Sequence, residues 1–591
     1  MGGRAEAAPP SRRVVTVEKR GRFAVGVPLF DRGPQLPLPR SRDVRPGRMA
    51  LLDLSHGKPR LLRMLGSPDR ALDVVAAMLA ERGDVGFPQR VEEEARQAAR
   101  EARSGSAGRT DLTALPTFTV DPASARDFDD AVSAERDGDG IRLWIHIADV
   151  AAHVAPGSRL ERVAEERANS TYVPGIVAPM LPEALSGDAC SLVAGENRLA
   201  VTTEIELNGD GEVRRTRFFR STIRSDVRLS YEQLDDIFAG RSRPPAVAAE
   251  PLELTRKLAA QLAGRRASSA LAVESSEPEF AFEDGDVVGA RDVAQTESHR
   301  LIEQLMILTN ERVADLLERK RVPTLYRVHE APDPARIELL IEKLAALDVP
   351  TPPLPKGLSP SDAAKLAAQA SHLVLEEAAR RGHGREAYTS LVLRSLKPAF
   401  YSHVNVGHAG LASPAYTHFT SPIRRYPDLL VHRGLLAANG EPEQPPRPDE
   451  VREAGPHTSA REREATRLER DADDVCAAFL LRRELAERGQ DTRFEGEVSG
   501  VIGAGAFVAF AGELGSVYEG FLPARRLRGE RFELDETETR LVGAKTGRAV
   551  RLGDPVTVTV DGIEAPRGRV DLDSDPAPSP APPGGRGAAR G

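Results

Sequence analysis

Four carboxylates lie within ten residues of this chain. Asp121 to Asp130 reads D-P-A-S-A-R-D-F-D-D and carries Asp121, Asp127, Asp129 and Asp130. Acids this dense repel one another, so a fold that gathers them needs a positive agent among them. The usual agent is a hard divalent cation with oxygen ligands, and Mg²⁺ sits among carboxylates, waters and substrate phosphate oxygens. The corresponding chemistry is metal-assisted phosphodiester hydrolysis, one ion activating water and a second supporting the leaving oxygen. A solvated acidic loop is the plain alternative. Two features favour the metal site. Apolar runs at 118–120 and 141–147 bracket the loop, so it leaves a buried sheet. The acids are also spaced too irregularly for one helix face.

A second dense stretch, Tyr416 to Arg433, reads Y-T-H-F-T-S-P-I-R-R-Y-P-D-L-L-V-H-R. Ser421 and Pro422 read as a helix start, with Pro427 still near the first turn. Arg424 and Arg425 then fall at a helix N-terminus, where amide groups and the dipole favour anions. A guanidinium there can grip a phosphate with two hydrogen bonds. Of two adjacent arginines, one is expected to pair with Asp428 or another carboxylate and one to face a phosphate.

The elements that must position these residues follow from pattern. The chain has 591 residues, enough for several domains. Its net charge of −8 does not advertise a nucleic-acid binder, but residues 1–66 hold 14 Arg/Lys against 5 Asp/Glu. A basic module on an acidic remainder points to a phosphate-bearing partner. Two cysteines, Cys190 and Cys476, make neither a disulfide framework nor a CxxC metal site and read as buried free thiols. With no membrane-length apolar run and no signal-peptide core, the sequence predicts a cytoplasmic protein.

Residues 1–13 and 574–591 are Pro/Gly/Ala-rich and read as disordered. Residues 14–66 show short strands with turn signals, a small barrel in which Phe23 could stack a base or fill the core. Residues 67–114 read as a helical linker: Ser67 as N-cap, Pro68 at the first helical position, Gly83 as terminator, then a charged helix and a flexible joint at 103–108. Residues 115–490 form the main body. It opens on strands, including a hairpin around Asn208-Gly209-Asp210-Gly211, and turns helical over 298–317, 334–347, 361–380 and 462–488, so the class is α+β. Residues 491–573 give a second small barrel.

In combination, V-D-P-A-S-A-R-D-F-D-D (120–130), H-I-A-D-V (146–150), P-M-L-P-E-A-L-S (179–186) and H-F-T-S-P-I-R-R-Y-P-D-L (418–429) make the chain resemble the RNase II/RNase R family of 3′→5′ exoribonucleases, which carry an RNB catalytic domain. The resemblance runs from about Val14 to Leu572. It implies a catalytic core at 115–490 flanked by two OB-type barrels, cold-shock-like at 14–66 and S1-like at 491–573. It implies that Asp121, Asp127, Asp129 and Asp130 hold one or two Mg²⁺ ions directly or through water, with Mn²⁺ able to substitute, and that Asp129 is the acid most needed for cleavage.

The same resemblance makes Tyr172 the clamp on the 3′-terminal nucleotide and Tyr231 a second tyrosine along the RNA path. Arg424 would contact the scissile region, and Glu303 and Glu469 would be carboxylates around the terminal nucleotides. The implied substrate is single-stranded RNA with a free 3′ end, degraded to nucleoside 5′-monophosphates by a monomer. There are departures. The chain has room for one cold-shock domain where family members typically carry two. Ala504 stands where the S1 strand commonly has phenylalanine, which leaves Phe494 and Phe507 as the expected stacking faces. A catalytically inactive RNA-binding regulator and a metal-dependent DNA hydrolase are the alternatives.

Overall fold

The computed structural model describes residues 12–21, 23–39, 41–55, 57–84, 86–103, 108–266, 270–272, 276–515, 518–527 and 530–574. Of the disorder expected at 1–13 and 574–591, Arg12, Arg13 and Ser574 instead lie in strands, and the rest, with most of the expected joint at 103–108, lies outside these residues.

A seven-stranded sheet organises the body. From one edge to the other its strands are Val227–Ser230, Phe118–Asp121, Asp130–Asp137, Gly140–Ala148, Asn197–Leu207, Val213–Arg224 and Thr110–Asp111. The outermost pairs are parallel and the inner ones antiparallel. The period-2 alternation of a strand sends Val132, Leu143, Ile145, Ile147, Val201 and Ile205 into the main apolar cluster. The opposite parity carries a buried polar row. His146 bonds Ser133 Oγ through Nε2 (3.1 Å) and Thr202 Oγ1 through Nδ1 (2.9 Å). Burial drives its pKa down to about 3, so the imidazole is neutral and structural. Asp149 of the same motif, fully buried, pairs with Arg109 (2.6 Å) and Arg220 (2.9 Å). The H-I-A-D-V motif is thus structural: His146 and Asp149 fix the sheet, and Ile147 is registered against Asp130.

The helices follow their expected periods. Those over 298–317, 334–347 and 361–380 are Glu297–Lys320, Pro334–Ala346 and Pro360–Arg381. The last is longer than expected: Pro448–Arg488 runs 41 residues, with Pro456 inside it. That proline, next to Gly455, hides the first third of the helix from a pattern reading. The first helix also starts late, at Ala71 with Arg70 as N-cap, while Gly83 ends it in the left-handed region at φ 98°. Ser67 instead donates its N–H to Asp73 (2.8 Å).

The N-terminal module is a five-stranded antiparallel sheet in which Arg12–Arg20 is central, flanked by Phe23–Pro28 and Met49–Asp53, with Leu36–Pro37 and Arg60–Met64 outermost. That strand order is OB-like, and the two outer strands are not bonded to each other among the described residues. The C-terminal module closes fully: Arg493–Ile502, Gly505–Phe510, Tyr518–Pro523, Arg569–Ser574 and Pro555–Glu564 form a five-stranded barrel. The two modules share a core. Val14, Met49 and Leu51 of the first sheet, Val75 and Leu79 of the helix after it, Leu480 and Leu481 of the long helix, and Val498 and Leu522 of the barrel belong to one apolar cluster. The helix at 71–82, expected as linker, is therefore core. Cys190 and Cys476 are free and buried, as expected. Among the described residues no helix is long and apolar enough to cross a membrane.

Candidate active site

Asp121 is the last residue of one strand and Asp130 the first of its antiparallel neighbour, so the sheet presents both ends of the acidic loop at one place. The loop between them is pinned from three sides. Arg228 donates to the carbonyls of Pro122 (2.7 Å) and Ala123 (3.0 Å). Ser191 Oγ accepts from Phe128 N–H (3.0 Å) and donates to Arg126 C=O (2.7 Å). Leu192 N–H reaches Phe128 C=O at 3.0 Å, and Ala148 N–H reaches Asp129 C=O at 2.9 Å. Ser191 follows a six-residue π-helical turn, Ala184–Ala189, which sets that hydroxyl against the loop. Neither Ser191 nor Arg228 stands out in the sequence. Their only sign is proximity to the A-L-S and R-L-S-Y stretches.

The arginine stretch closes on the loop from the other side. The helix begins at Tyr426, with Arg425 as its N-cap, not at Ser421. Residues 421–425 form a turn, Arg425 N–H bonding Ser421 C=O at 3.0 Å. The expected helix-terminal position of Arg424 is thereby corrected to a turn ahead of the helix. Asp428, fully buried, explains why: it accepts Ser421 N–H (2.8 Å) and takes both ends of the Arg425 guanidinium (2.9 and 2.7 Å), folding the turn back on the helix. Arg425 is thus the structural arginine. Arg424 is 45% exposed along its side chain, with Nε 3.6 Å from Asp129 Oδ2 and a second nitrogen 3.1 Å from Ser421 Oγ. The turn also supplies a group the sequence does not indicate, the Ile423 N–H, which donates to Asp129 Oδ1 at 2.8 Å.

Electrostatics mark the same place. Asp129 is 4% exposed, and burial holds its carboxyl well above the ordinary range against the opposing pull of Arg424 and the Ile423 N–H. Burial, then the charge of Asp130, pushes Asp121 up to about 8. Burial raises Asp130 to about 6. Buried carboxyls that resist ionisation need a cation or a proton. The oxygens Asp121 Oδ2 and Asp129 Oδ2 are buried with no hydrogen-bond partner among the described residues, which suits a hydrated Mg²⁺. No three His, Cys, Asp or Glu side chains among the described residues converge tightly enough to hold a metal by themselves. Asp121 and Asp129 are two of the four acids expected to hold Mg²⁺ directly or through water, and each offers such a buried oxygen, while Asp127 Oδ2 accepts the Tyr172 hydroxyl.

Tyr172 stands over the loop. Its hydroxyl donates to Asp127 Oδ2 (2.8 Å) and its backbone N–H to Glu469 Oε1 on the long helix (2.8 Å). Tyr172 is 39% exposed and lines an open cleft of about 200 Å³ shared with Arg424, Tyr401, Glu462 and Glu469. Tyr231 opens the helix Tyr231–Phe238, one residue beyond Ser230, which is registered directly against Asp121. Glu303 is exposed on the helix Glu297–Lys320 and, among the described residues, makes no hydrogen bond to the acidic loop. Phe23 is 48% exposed on its strand.

Phe494 corrects the expectation of a stacking face: it is 2% exposed and packs on Phe510 at 5.0 Å inside the barrel. A half-buried aromatic pair of that barrel is Phe507 with Phe521, centroids 5.2 Å apart on adjacent strands. Strand alternation is the signal that finds Phe521, since Leu522 beside it points inward.

Comparison with known proteins agrees with this architecture. Residues 109–441 match the RNB domain family. The chain is 33% identical to Ribonuclease R of Escherichia coli (strain K12) over 505 residues, 82% of this chain and 60% of that protein. It is 35% identical to Ribonuclease R of Thermotoga maritima over 545 residues, 87% of this chain and 72% of that protein. The chain spans only about 60% of the length of the first curated relatives it matches. Among solved structures, Mycoplasma genitalium RNase R in complex with ribose-methylated single-stranded RNA superposes with a TM-score of 0.82 at 23% identity, covering 95% of this chain and 89% of that one. Yeast Ssd1, a pseudonuclease, superposes with a TM-score of 0.65 at 17% identity, covering 91% and 68%. The acidic loop, the arginine turn and the sheet that brings them together are parts of an RNB domain, and the chain belongs to the RNase II/RNase R family.

Proposed function

We propose that this protein is a Mg²⁺-dependent hydrolytic 3′→5′ exoribonuclease that degrades single-stranded RNA to nucleoside 5′-monophosphates, as a cytoplasmic monomer. One observation carries the reading. A buried carboxylate, Asp129, receives a backbone N–H from the very turn that aims an exposed arginine at the same point.

The body at 115–490 does the chemistry. Tyr172, fixed at its hydroxyl and at its backbone, offers a rigid ring on which a terminal base can stack. Arg424 supplies positive charge where the phosphorane-like transition state gains negative charge. Ile423 N–H and the surrounding apolar wall hold Asp129 in one orientation. Asp121 and Asp129 would hold Mg²⁺, which when bound activates water toward the phosphodiester. The modules at 14–66 and 491–573 guide the strand through phosphate contacts and the Phe23 and Phe507–Phe521 faces. Two buried free thiols accord with a reducing compartment.

The fold also serves a pseudonuclease, so superposition alone does not decide activity. The deciding experiment incubates 5′-labelled RNA and DNA with the protein in Mg²⁺ or EDTA, beside Asp129→Asn. The expected result is stepwise shortening of RNA from its 3′ end in Mg²⁺ only, abolished in Asp129→Asn with RNA binding retained. Binding without cleavage by the unaltered protein would make it a regulator. Equal cleavage of DNA would make it a general nuclease.

A further inference from the structure

Tyr231 does not stand alone beside the acids. Its ring lies flat on that of His299, centroids 3.9 Å apart and planes within 12°. The two residues come from separate helices that meet N-terminus to N-terminus. Tyr231 is the first residue of Tyr231–Phe238, and His299 is the third of Glu297–Lys320. A direct bond ties the two helices: Ser298 N–H donates to Asp235 Oδ1 at 3.1 Å.

The imidazole is locked in turn. Thr296, the N-cap, sets its hydroxyl 2.7 Å from His299 Nδ1 and its backbone N–H 3.4 Å from the same atom. A nitrogen approached by a backbone N–H must be an acceptor, so the ring proton of the neutral histidine sits on Nε2. Neither Nε2 nor the Tyr231 hydroxyl has a hydrogen-bond partner among the described residues. One face of the tyrosine is therefore covered and its polar end left open. Ser230, the residue before it, lies in register with Asp121, and burial, then the nearby charges of Asp130 and Asp121, holds the proton on the phenol. Glu303, one helical turn beyond His299, looks out from the same helix face.

We infer that His299 is a positioning residue, whose ring, stacked on Tyr231 and fixed by Thr296, holds the phenol against the backbone of single-stranded RNA next to the bond being cut. The inference rests on the function proposed above and deepens it. The imidazole acts by its shape. A face-to-face stack stops the tyrosine from swinging, and its loss is expected to cost what an aromatic pair is worth, roughly three- to tenfold in rate. RNA longer than the cleft gains most of its affinity elsewhere and should bind nearly as before.

The test uses the full chain with Mg²⁺ and a 5′-labelled single-stranded RNA, reading kcat, KM and, in EDTA, Kd. His299→Ala should lower kcat roughly three- to tenfold with Kd within about twofold. His299→Phe, a ring without the N–H, should return kcat to near the unaltered value. His299→Gln, which keeps a polar end but no ring, should stay as low as alanine. In the Tyr231→Ala background, His299→Ala should cost nothing more, because the two residues act as one. Rescue by glutamine but not phenylalanine, additive losses in the double variant, or an unchanged kcat in His299→Ala would each overturn the inference while leaving the nuclease reading intact. An unaltered protein that cleaves no RNA would remove the nuclease reading and this inference with it.

Discussion

Arg424 and Arg425 are neighbours in sequence with opposite structural duties, and paired substitutions should separate them. Arg424 is 45% exposed and reaches Asp129 only at 3.6 Å. A half-exposed, loosely held ion pair contributes about 0–1 kcal/mol to stability. Removing a positive group aimed at developing charge costs about 10²–10³ in kcat, or roughly 3–4 kcal/mol of transition-state stabilisation. Arg424→Ala should therefore melt close to the unaltered protein and turn over RNA two to three orders of magnitude more slowly. Arg425 is the reverse case. Its guanidinium closes two bonds on an Asp428 carboxylate with no solvent exposure, and that carboxylate also anchors Ser421 N–H. Deleting one partner of a buried pair strands the other charge, at a cost of about 3–5 kcal/mol. Arg425→Ala should show a clear loss of stability in urea or thermal melts, with slower turnover following from the slackened turn. The assays are chemical denaturation and single-turnover cleavage of 5′-labelled RNA on the same preparations. If Arg424→Ala loses as much stability as Arg425→Ala, or loses less than about tenfold in rate, the division of labour is wrong.

Two further outcomes follow from the site and the barrel. In metal-free protein, Asp121 and Asp130 keep protons up to about 8 and 6 against an ordinary value of 3.8. The folded state then binds more protons than the unfolded one, so their contribution is fully present below about pH 4 and is lost as pH rises through 6 and 8. Thermal melts in EDTA should fall in Tm between pH 5 and 8.5, and Mg²⁺ should raise Tm more at pH 8.5 than at pH 5. A Mg²⁺ effect equal at both pH values would refute the shared site. On the barrel, Phe507→Ala or Phe521→Ala should weaken RNA binding by about 1–3 kcal/mol with little change in stability. Phe494→Ala should instead destabilise the barrel by about 3–5 kcal/mol. Equal loss of RNA affinity in all three would contradict the burial of Phe494.

Much of the site is legible in the sequence because its chemistry is local there. Four acids within ten residues and two adjacent arginines announce themselves. That Arg424 and Arg425 divide their duties also follows from adjacency, though not which arginine takes which part. What pattern does not supply is long-range. Ile423 N–H meets Asp129 across 294 residues, and a backbone donor has no side-chain signature. Ser191 and Arg228 act on carbonyls and amides of the loop, a duty open to many residue types. The helix starts at Tyr426 and not at Ser421 because Asp428, a buried carboxylate, captures the Ser421 N–H and overrides the usual Ser-Pro cap. Phe494 escapes a pattern reading because an aromatic on a barrel strand can face either way, and parity is settled only once the register is known.

The apolar cluster that joins the N-terminal sheet, the long helix and the C-terminal barrel bears on how such a chain can evolve. Modules strung on linkers can be gained, lost or exchanged as cassettes. Here Leu480 and Leu481 join that cluster from a helix that also holds the Tyr172 backbone through Glu469. Excising either flank would leave a sticky apolar scar on the remainder. Inheritance of the three parts is thereby bound together, and a swap succeeds only if the seam is rebuilt with it.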